Sequence, residues 1–220
     1  LGIVPKRNLP NNSEFYELRH FRAGEVQPRE ISIGGDLVPF GGALLFTCGE
    51  DPRLKVAAEI CEDLWVACPP SIGHALAGAN VIVNLSASNE AVGKKEYRKT
   101  LVCGQSARLV CGYLYADAGE GESTTDLVFS GHNLIAENGC MLAQSTLFEN
   151  GMILADLDIE KLEAERRRMT TFRQGPGGYQ EILFHVRKES GMWNRFVDPH
   201  PFVPGGEEQR KQRCEEILNM

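Results

Sequence analysis

The sequence predicts an α/β domain built on a mixed sheet. Short apolar runs rich in β-branched residues alternate with stretches of helical periodicity. Gly, Pro and Asn punctuate the joins. An Asn-Gly pair at 138–139 lies between two apolar runs, the strongest short-range hairpin signal.

The elements follow in chain order. Leu1–Pro5 is apolar and has no cap or turn before it, so it reads as the end of a strand that starts upstream; a longer protein is expected. Lys6–Pro10 is an irregular loop. Phe40–Phe46 reads as one strand containing Gly41 and Gly42. Lys55–Cys61 reads as a buried strand stopped by acidic Glu62 and Asp63. Ser71–Ala79 has small apolar residues at helical spacing, and Asn80–Leu85 is a buried strand. Lys94–Val110 is a helix, with Tyr97, Leu101, Gln105 and Leu109 four apart. Cys111–Ala116 is a strand. Leu127–Ile135 and Cys140–Gln144 flank the Asn-Gly turn. Gly151–Asp158 reads as another strand. Ile159–Met169 reads as a helix whose Arg166, Arg167 and Arg168 form a solvated C-terminal end.

From residue 173 the texture changes. Gly and Pro recur at 175–178 and 199–206, and Glu207–Met220 looks like the start of a helix. Residues 1–172 therefore read as the domain and 173–220 as a connecting arm, where Trp193 packs within the arm or at an interface. Trp65 packs near the turn after the Lys55–Cys61 strand.

Composition narrows the function. With 23 Lys plus Arg against 30 Asp plus Glu, the net charge is −7. That disfavours nucleic acid and polybasic membrane contacts, both of which need clustered cations. No apolar run approaches the roughly 20 residues of a membrane-spanning helix. Seven cysteines, an odd number mostly inside apolar runs, fit reduced thiols in a cytoplasmic protein better than a disulfide framework. The five histidines show no zinc spacing with the cysteines. Gly34-Gly35 and Gly177-Gly178 lack the strand–glycine–helix context of a phosphate loop.

Cys61 is the first candidate for chemistry. A strand ending in a tight turn can expose its last side chain and aim backbone N–H groups above it, as a nucleophile and oxyanion hole require. The plain alternative is a buried small hydrophobe, the usual fate of Cys. Lys6 also lies just past an apolar strand and could lower a thiol pKa or hold an oxyanion; alone, it could equally be a solvated loop lysine. Glu14 and Glu17 could position Lys6 or simply begin a short helix.

Together these segments resemble a known family. Val4-Pro5-Lys6-Arg7-Asn8-Leu9-Pro10, continuing to Glu17, resembles the lysine motif of the nitrilase (carbon–nitrogen hydrolase) superfamily, and more narrowly the glutaminase domain of bacterial glutamine-dependent NAD synthetases. Ala58-Glu59-Ile60-Cys61-Glu62-Asp63-Leu64-Trp65 resembles its cysteine motif. Asn84-Leu85-Ser86-Ala87-Ser88 and Gly93-Lys94-Lys95-Glu96-Tyr97-Arg98 resemble the segment that follows. Ser130–Ile135 and Ala155–Asp158 resemble later strands. The resemblance implies an α-β-β-α sandwich, incomplete at its N-terminus here, that associates into a homo-oligomer.

The resemblance also implies a Glu-Lys-Cys triad. Cys61 would attack the side-chain amide of glutamine, and Lys6 with the backbone N–H after Cys61 would hold the oxyanion. The general-base Glu would lie upstream of Leu1. Glu14 would be a supporting carboxylate. Ser88, Lys94, Asn12 and Glu62 would contact glutamine, with Asn12 standing where an aromatic residue is usual. No cofactor is implied for this domain. ATP and Mg2+ would belong to a synthetase domain, its partner, beyond Met220. Two other readings stay open: a standalone amidase acting on another small amide, and a fragment inactive for want of its base.

Overall fold

A central mixed sheet of seven strands carries the domain in this computed structural model, which describes residues 1–119, 121–173, 175, 177–187, 191 and 195–220. Two units are distinguished, Leu1–Ser190 and Gly191–Met220. In the first, a two-stranded hairpin pairs β1 (Arg29–Ile33) with β2 (Asp36–Phe40). The sheet comprises β3 (Leu44–Cys48), β4 (Lys55–Ile60), β5 (Val81–Ser86), β6 (Gly112–Asp117), β7 (Leu134–Glu137), β8 (Cys140–Gln144) and β9 (Gln180–Phe184). Its order is β8-β7-β6-β5-β4-β3-β9. The β4–β5, β5–β6 and β3–β9 pairs are parallel; the rest are antiparallel.

Helices α1 (Pro70–Leu76) and α2 (Lys94–Leu109) supply the crossovers that parallel β4, β5 and β6 need. Alternate residues of these strands, Ala57, Ile82, Tyr113 and Tyr115, are buried with Ala75, Val102 and Leu109 of the helices in the main core. The two-residue period of the strands places Glu59 and Asn84 on the same face, also buried. That placement of polar groups matters for the site described below.

Helix α3 (Ile159–Arg168) starts on Asp158, whose side chain accepts the Lys161 N–H at 2.9 Å. Arg166 does not form a solvated end. It is buried and donates to the carbonyls of Val110 at 3.0 Å, Leu109 at 2.9 Å and Ala79 at 2.7 Å. The guanidinium thus satisfies carbonyls that the end of α2 leaves without intrahelical partners. In the second unit, α4 (Glu207–Asn219) forms as the sequence predicts, with no buried residue. Trp193 lies outside the described residues.

The strand readings at 55–61, 80–85 and 111–116 hold to within a residue or two. Asn138 at φ +44 and Gly139 at φ +85 make the hairpin turn, but β7 begins only at Leu134, not at 127. Phe40–Phe46 is two strands, because β2 ends at Phe40 and Gly41-Gly42-Ala43 turns the chain into β3. Gly151–Asp158 forms no strand among the described residues, and Met152 and Leu154 are exposed. Gly34 and Gly35, both at positive φ, join an unforeseen hairpin whose strands mix Arg, Glu and Ser with Ile. Strand β9 lies in the stretch that punctuation assigns to the arm; pairing with the edge of β3 supplies its ladder.

His74 of α1 is buried and hydrogen-bonded to the Tyr179 hydroxyl at 2.8 Å. Burial lowers its pKa to about 4. Between pH 6.5 and 4 the unfolded chain therefore binds a proton here that the folded chain refuses, so this group removes stability as the pH falls. His74→Gln should lose less stability between pH 7 and pH 5 than the native chain does. Denaturant midpoints at the two pH values check this, and an equal or larger loss in the variant contradicts it.

Candidate active site

Cys61 stands where β4 stops. Ile60 is still extended at φ −126, but Cys61 turns to φ +50 and opens a 3-10 turn, Cys61–Leu64. A non-glycine residue held at positive φ costs about 1–3 kcal/mol and persists only where its surroundings over-determine it. The Asp63 carboxylate, 1% exposed, accepts the Ile60 N–H at 2.9 Å. The Asn84 side-chain carbonyl, at the end of β5, accepts the Cys61 N–H at 2.9 Å.

Asp63 also fastens the lysine loop to this elbow. Its other oxygen accepts both the backbone N–H and the side-chain amide of Asn8, each at 2.8 Å. Two residues earlier, Lys6 Nζ donates to both oxygens of Glu17, at 2.6 and 2.7 Å. The Lys6 carbonyl accepts the Gly24 N–H at 2.8 Å. Gly24 must be glycine, since a Cβ there would lie 2.3 Å from Pro5 Cβ. Lys6 is therefore held by its backbone on one side and by its ammonium on the other.

The facing wall comes from the segment after β5. Ser88 N–H donates to Asp117 Oδ1 at 2.8 Å. Asn89 donates to Glu14 Oε1 at 2.6 Å and accepts from Lys94 Nζ. Lys94 lies 5.1 Å from the Trp65 ring, which stacks on Tyr97 at 5.6 Å. Burial, reinforced by nearby Arg98, lowers the Lys94 pKa. Burial raises the Glu62 pKa, opposed by Lys6.

Between these walls lies a cavity of about 280 Å³. Its lining includes Cys61 and Glu62 from the elbow, Asn12 and Glu14 from the lysine loop, and Ser88 and Lys94 opposite. Phe15 and Trp65 add aromatic surface. Six of the seven residues singled out from the sequence thus meet at one cavity; the seventh, Lys6, anchors the loop that supplies Asn12 and Glu14. Cys61 is only partly buried, and all seven cysteines are free thiols.

Of the two carboxylates that could position Lys6, Glu17 is the one that holds it. The chain turns at Ser13 (φ +52), and Glu14 is engaged by Asn89 across the cavity while Glu17 opens a 3-10 turn beside Lys6. Sequence reasoning missed Asn84, Asn89, Asp63 and Arg98. Asn84, Asp63 and Arg98 lie inside the motif segments and Asn89 just after one, but the partners that define their roles (Cys61, Asn8, His132 and Glu14) are remote in sequence, so spacing carried no signal.

Arg98 is fully buried behind the wall. It donates to Glu90 at 3.1 Å, His132 Nδ1 at 2.9 Å, Ser88 Oγ at 3.4 Å and the Asn89 carbonyl at 3.5 Å. A larger cavity, about 430 Å³, lies near the end of α1. Three of its basic side chains are already engaged: Arg53 with Asp51, Lys55 with Glu181 and Arg166 with backbone carbonyls. Among the described residues, no group of three His, Cys, Asp or Glu could hold a metal ion, and no helix is long and apolar enough to cross a membrane.

No family model matches the chain. Individual relatives do. A glutamine-dependent NAD(+) synthetase of Mycobacterium tuberculosis is 42% identical over 232 residues, covering 100% of this chain and 34% of the relative. The Homo sapiens protein of that name is 31% identical over 184 residues, covering 78% of this chain and 25% of its own length. Among solved structures, a glutamine-dependent NAD(+) synthetase from Cytophaga hutchinsonii matches with TM-score 0.56 at 30% identity, over 66% of this chain and 22% of that one. A carbon–nitrogen hydrolase from Helicobacter pylori has TM-score 0.54 over 74% of this chain and 54% of that one; at 18% identity it shares the fold. The chain spans 34% of the length of the mycobacterial relative. It belongs to the glutamine-dependent NAD(+) synthetase family.

Proposed function

We propose that this chain is the glutamine-hydrolysing part of an NAD synthetase. The observation that carries the reading is the cavity at the Cys61 elbow, lined by both carboxylate and ammonium groups. Glutamine is a zwitterion, so its recognition calls for groups of both signs around an uncharged amide. Lys94 is the cation for its carboxylate. Glu62 and Glu14 are the carboxylates for its ammonium, while Ser88 and Asn12 supply polar contacts.

In this reading Cys61 Sγ attacks the side-chain amide carbon and forms a C–S bond. The carbonyl oxygen becomes an oxyanion. Lys6 and the Glu62 N–H stabilise it, the latter in the first turn of a short helix, where N–H groups lack intrahelical acceptors. The thiol proton passes through a carboxylate to the leaving nitrogen, the C–N bond breaks, and ammonia departs. Water then cleaves the thioester to glutamate and restores the thiol. The resemblance puts that general base upstream of Leu1, with Glu14 in support. The ammonia would serve ATP- and Mg2+-dependent amidation of deamido-NAD in the synthetase domain, reached through the segment that follows β9. Free-thiol chemistry calls for a reducing, cytoplasmic setting. Association into a homo-oligomer completes the proposal, and sedimentation of the intact protein checks it.

Ammonia release from glutamine by the intact protein tests the main reading. Turnover of other small amides without glutamine would favour a standalone amidase instead. A second test addresses Lys6. Glu17→Gln removes the charge that holds the ammonium, and kcat should fall roughly ten- to a hundredfold with KM little changed. Steady-state kinetics decide; an effect confined to KM would show that Glu17 serves binding.

A further inference from the structure

We propose that Glu59, acting through Tyr113 and Asn84, is a positioning residue that sets the hydrogen-bond polarity of the Cys61 elbow. This rests on Cys61 being the nucleophile. Glu59, Tyr113 and Asn84 are each 1% exposed or less, on the helix-facing side of three adjacent strands. None of them lines the cavity, and the mechanism above uses none of them.

The chain of donors has only one consistent direction. The backbone N–H of Ser71, in the first turn of α1, donates to Glu59 Oε2 at 2.8 Å. The Tyr113 hydroxyl donates its single proton to Glu59 Oε1. Its oxygen is therefore left to accept, and it accepts from Asn84 Nδ2 at 3.2 Å. The Asn84 amide is thereby oriented with Oδ1 toward the elbow, where it accepts the Cys61 N–H at 2.9 Å and the Ser86 hydroxyl at 3.0 Å. Burial raises the Glu59 pKa, but both of its oxygens accept here, one from Ser71 N–H and one from the Tyr113 hydroxyl, so the carboxylate sets the direction of the whole chain. The Asn84 contact helps hold Cys61 at φ +50, and the next N–H, that of Glu62, is left for the developing oxyanion. An inverted Asn84 amide would set an NH2 against the Cys61 N–H, donor against donor.

Glu59→Gln keeps the shape and reverses the direction. The backbone N–H of Ser71 still requires an acceptor, so the new side chain turns its oxygen there and its NH2 toward Tyr113. Tyr113 then accepts from it and must donate to Asn84, which flips the amide. Removing the Tyr113 hydroxyl as well frees Asn84 to present its oxygen to Cys61 again.

The experiment uses the intact protein and two readouts: glutamine turnover, and the rate of iodoacetamide alkylation at Cys61, followed on its own peptide by mass spectrometry. E59Q should lower both kcat and the Cys61 alkylation rate by about tenfold, with KM within twofold. The double variant Glu59→Gln/Tyr113→Phe should recover several-fold over E59Q alone, although it has lost one more hydrogen bond. Unchanged rates in E59Q overturn the proposal, as does a double variant as slow as E59Q or slower, because a merely structural role would add the two losses. If E59Q does not fold, Asn84→Ala carries the test. It removes the acceptor directly and should slow alkylation and kcat by about tenfold at near-constant KM; unchanged rates overturn the idea. The alkylation arm needs no substrate. It therefore separates failure of this proposal from failure of the glutaminase reading, which native-chain turnover of glutamine tests.

Discussion

Cys61→Ala should abolish glutamine-driven activity, with kcat lower by about 10⁴-fold or more, the scale of losing a covalent nucleophile. Alanine keeps the Cβ and meets the same strain at φ +50, so the elbow and its bonds to Asp63 and Asn84 persist. Only the sulfur at the cavity wall is lost. In the intact protein, NAD formation fed with free ammonia should continue, because that supply bypasses the thioester. Measuring product with each nitrogen source in turn makes the comparison. If both routes fail together, Cys61 has a structural task and the glutaminase reading falls with it.

The largest effect expected on stability is at Arg98. Arg98→Met replaces a fully buried guanidinium with an apolar side chain of similar length. Glu90, 3.1 Å away, and Asp117, 3.8 Å away, are left without the cation that offsets their charge. Breaking one side of a buried ion cluster typically costs about 3–5 kcal/mol, roughly 10 °C in melting temperature for a domain of this size. Function should suffer too. Arg98 reaches Ser88 Oγ and the Asn89 carbonyl, and Asp117 holds the Ser88 N–H, so the cavity wall loosens with the cluster. Calorimetry and the KM for glutamine are the measurements. A variant that melts with the native protein and keeps its KM would show that the cluster neither stabilises the domain nor shapes the wall.

Much of the site was legible in the residues. A strand that ends in Cys61-Glu62-Asp63, a lysine after an apolar segment, and a serine and lysine after another strand are local patterns, and local patterns survive folding. Glu17 was visible only as one of two equivalent carboxylates near Lys6. Spacing alone could not choose between them, since the choice depends on the turn at Ser13 and on Asn89 capturing Glu14 from across the cavity. Arg166 shows the opposite failure. Three consecutive arginines at a helix end look solvated, yet one of them completes the carbonyl end of α2. Strand β9 was unreadable for a related reason: an edge strand draws its ladder from β3, which lies over a hundred residues earlier.

By itself, the amino-acid sequence determined the α/β class, the core strands β4, β5 and β6, helices α2 and α3, and six of the residues that line the cavity at Cys61. Period, punctuation and short motifs encode those things within a few positions of one another. Tertiary structure alone decided which carboxylate holds Lys6, how Asp63 ties the lysine loop to the elbow, and which way the Asn84 amide faces. Those are hydrogen bonds between buried groups remote along the chain, and their partners and polarity exist only once the strands are side by side.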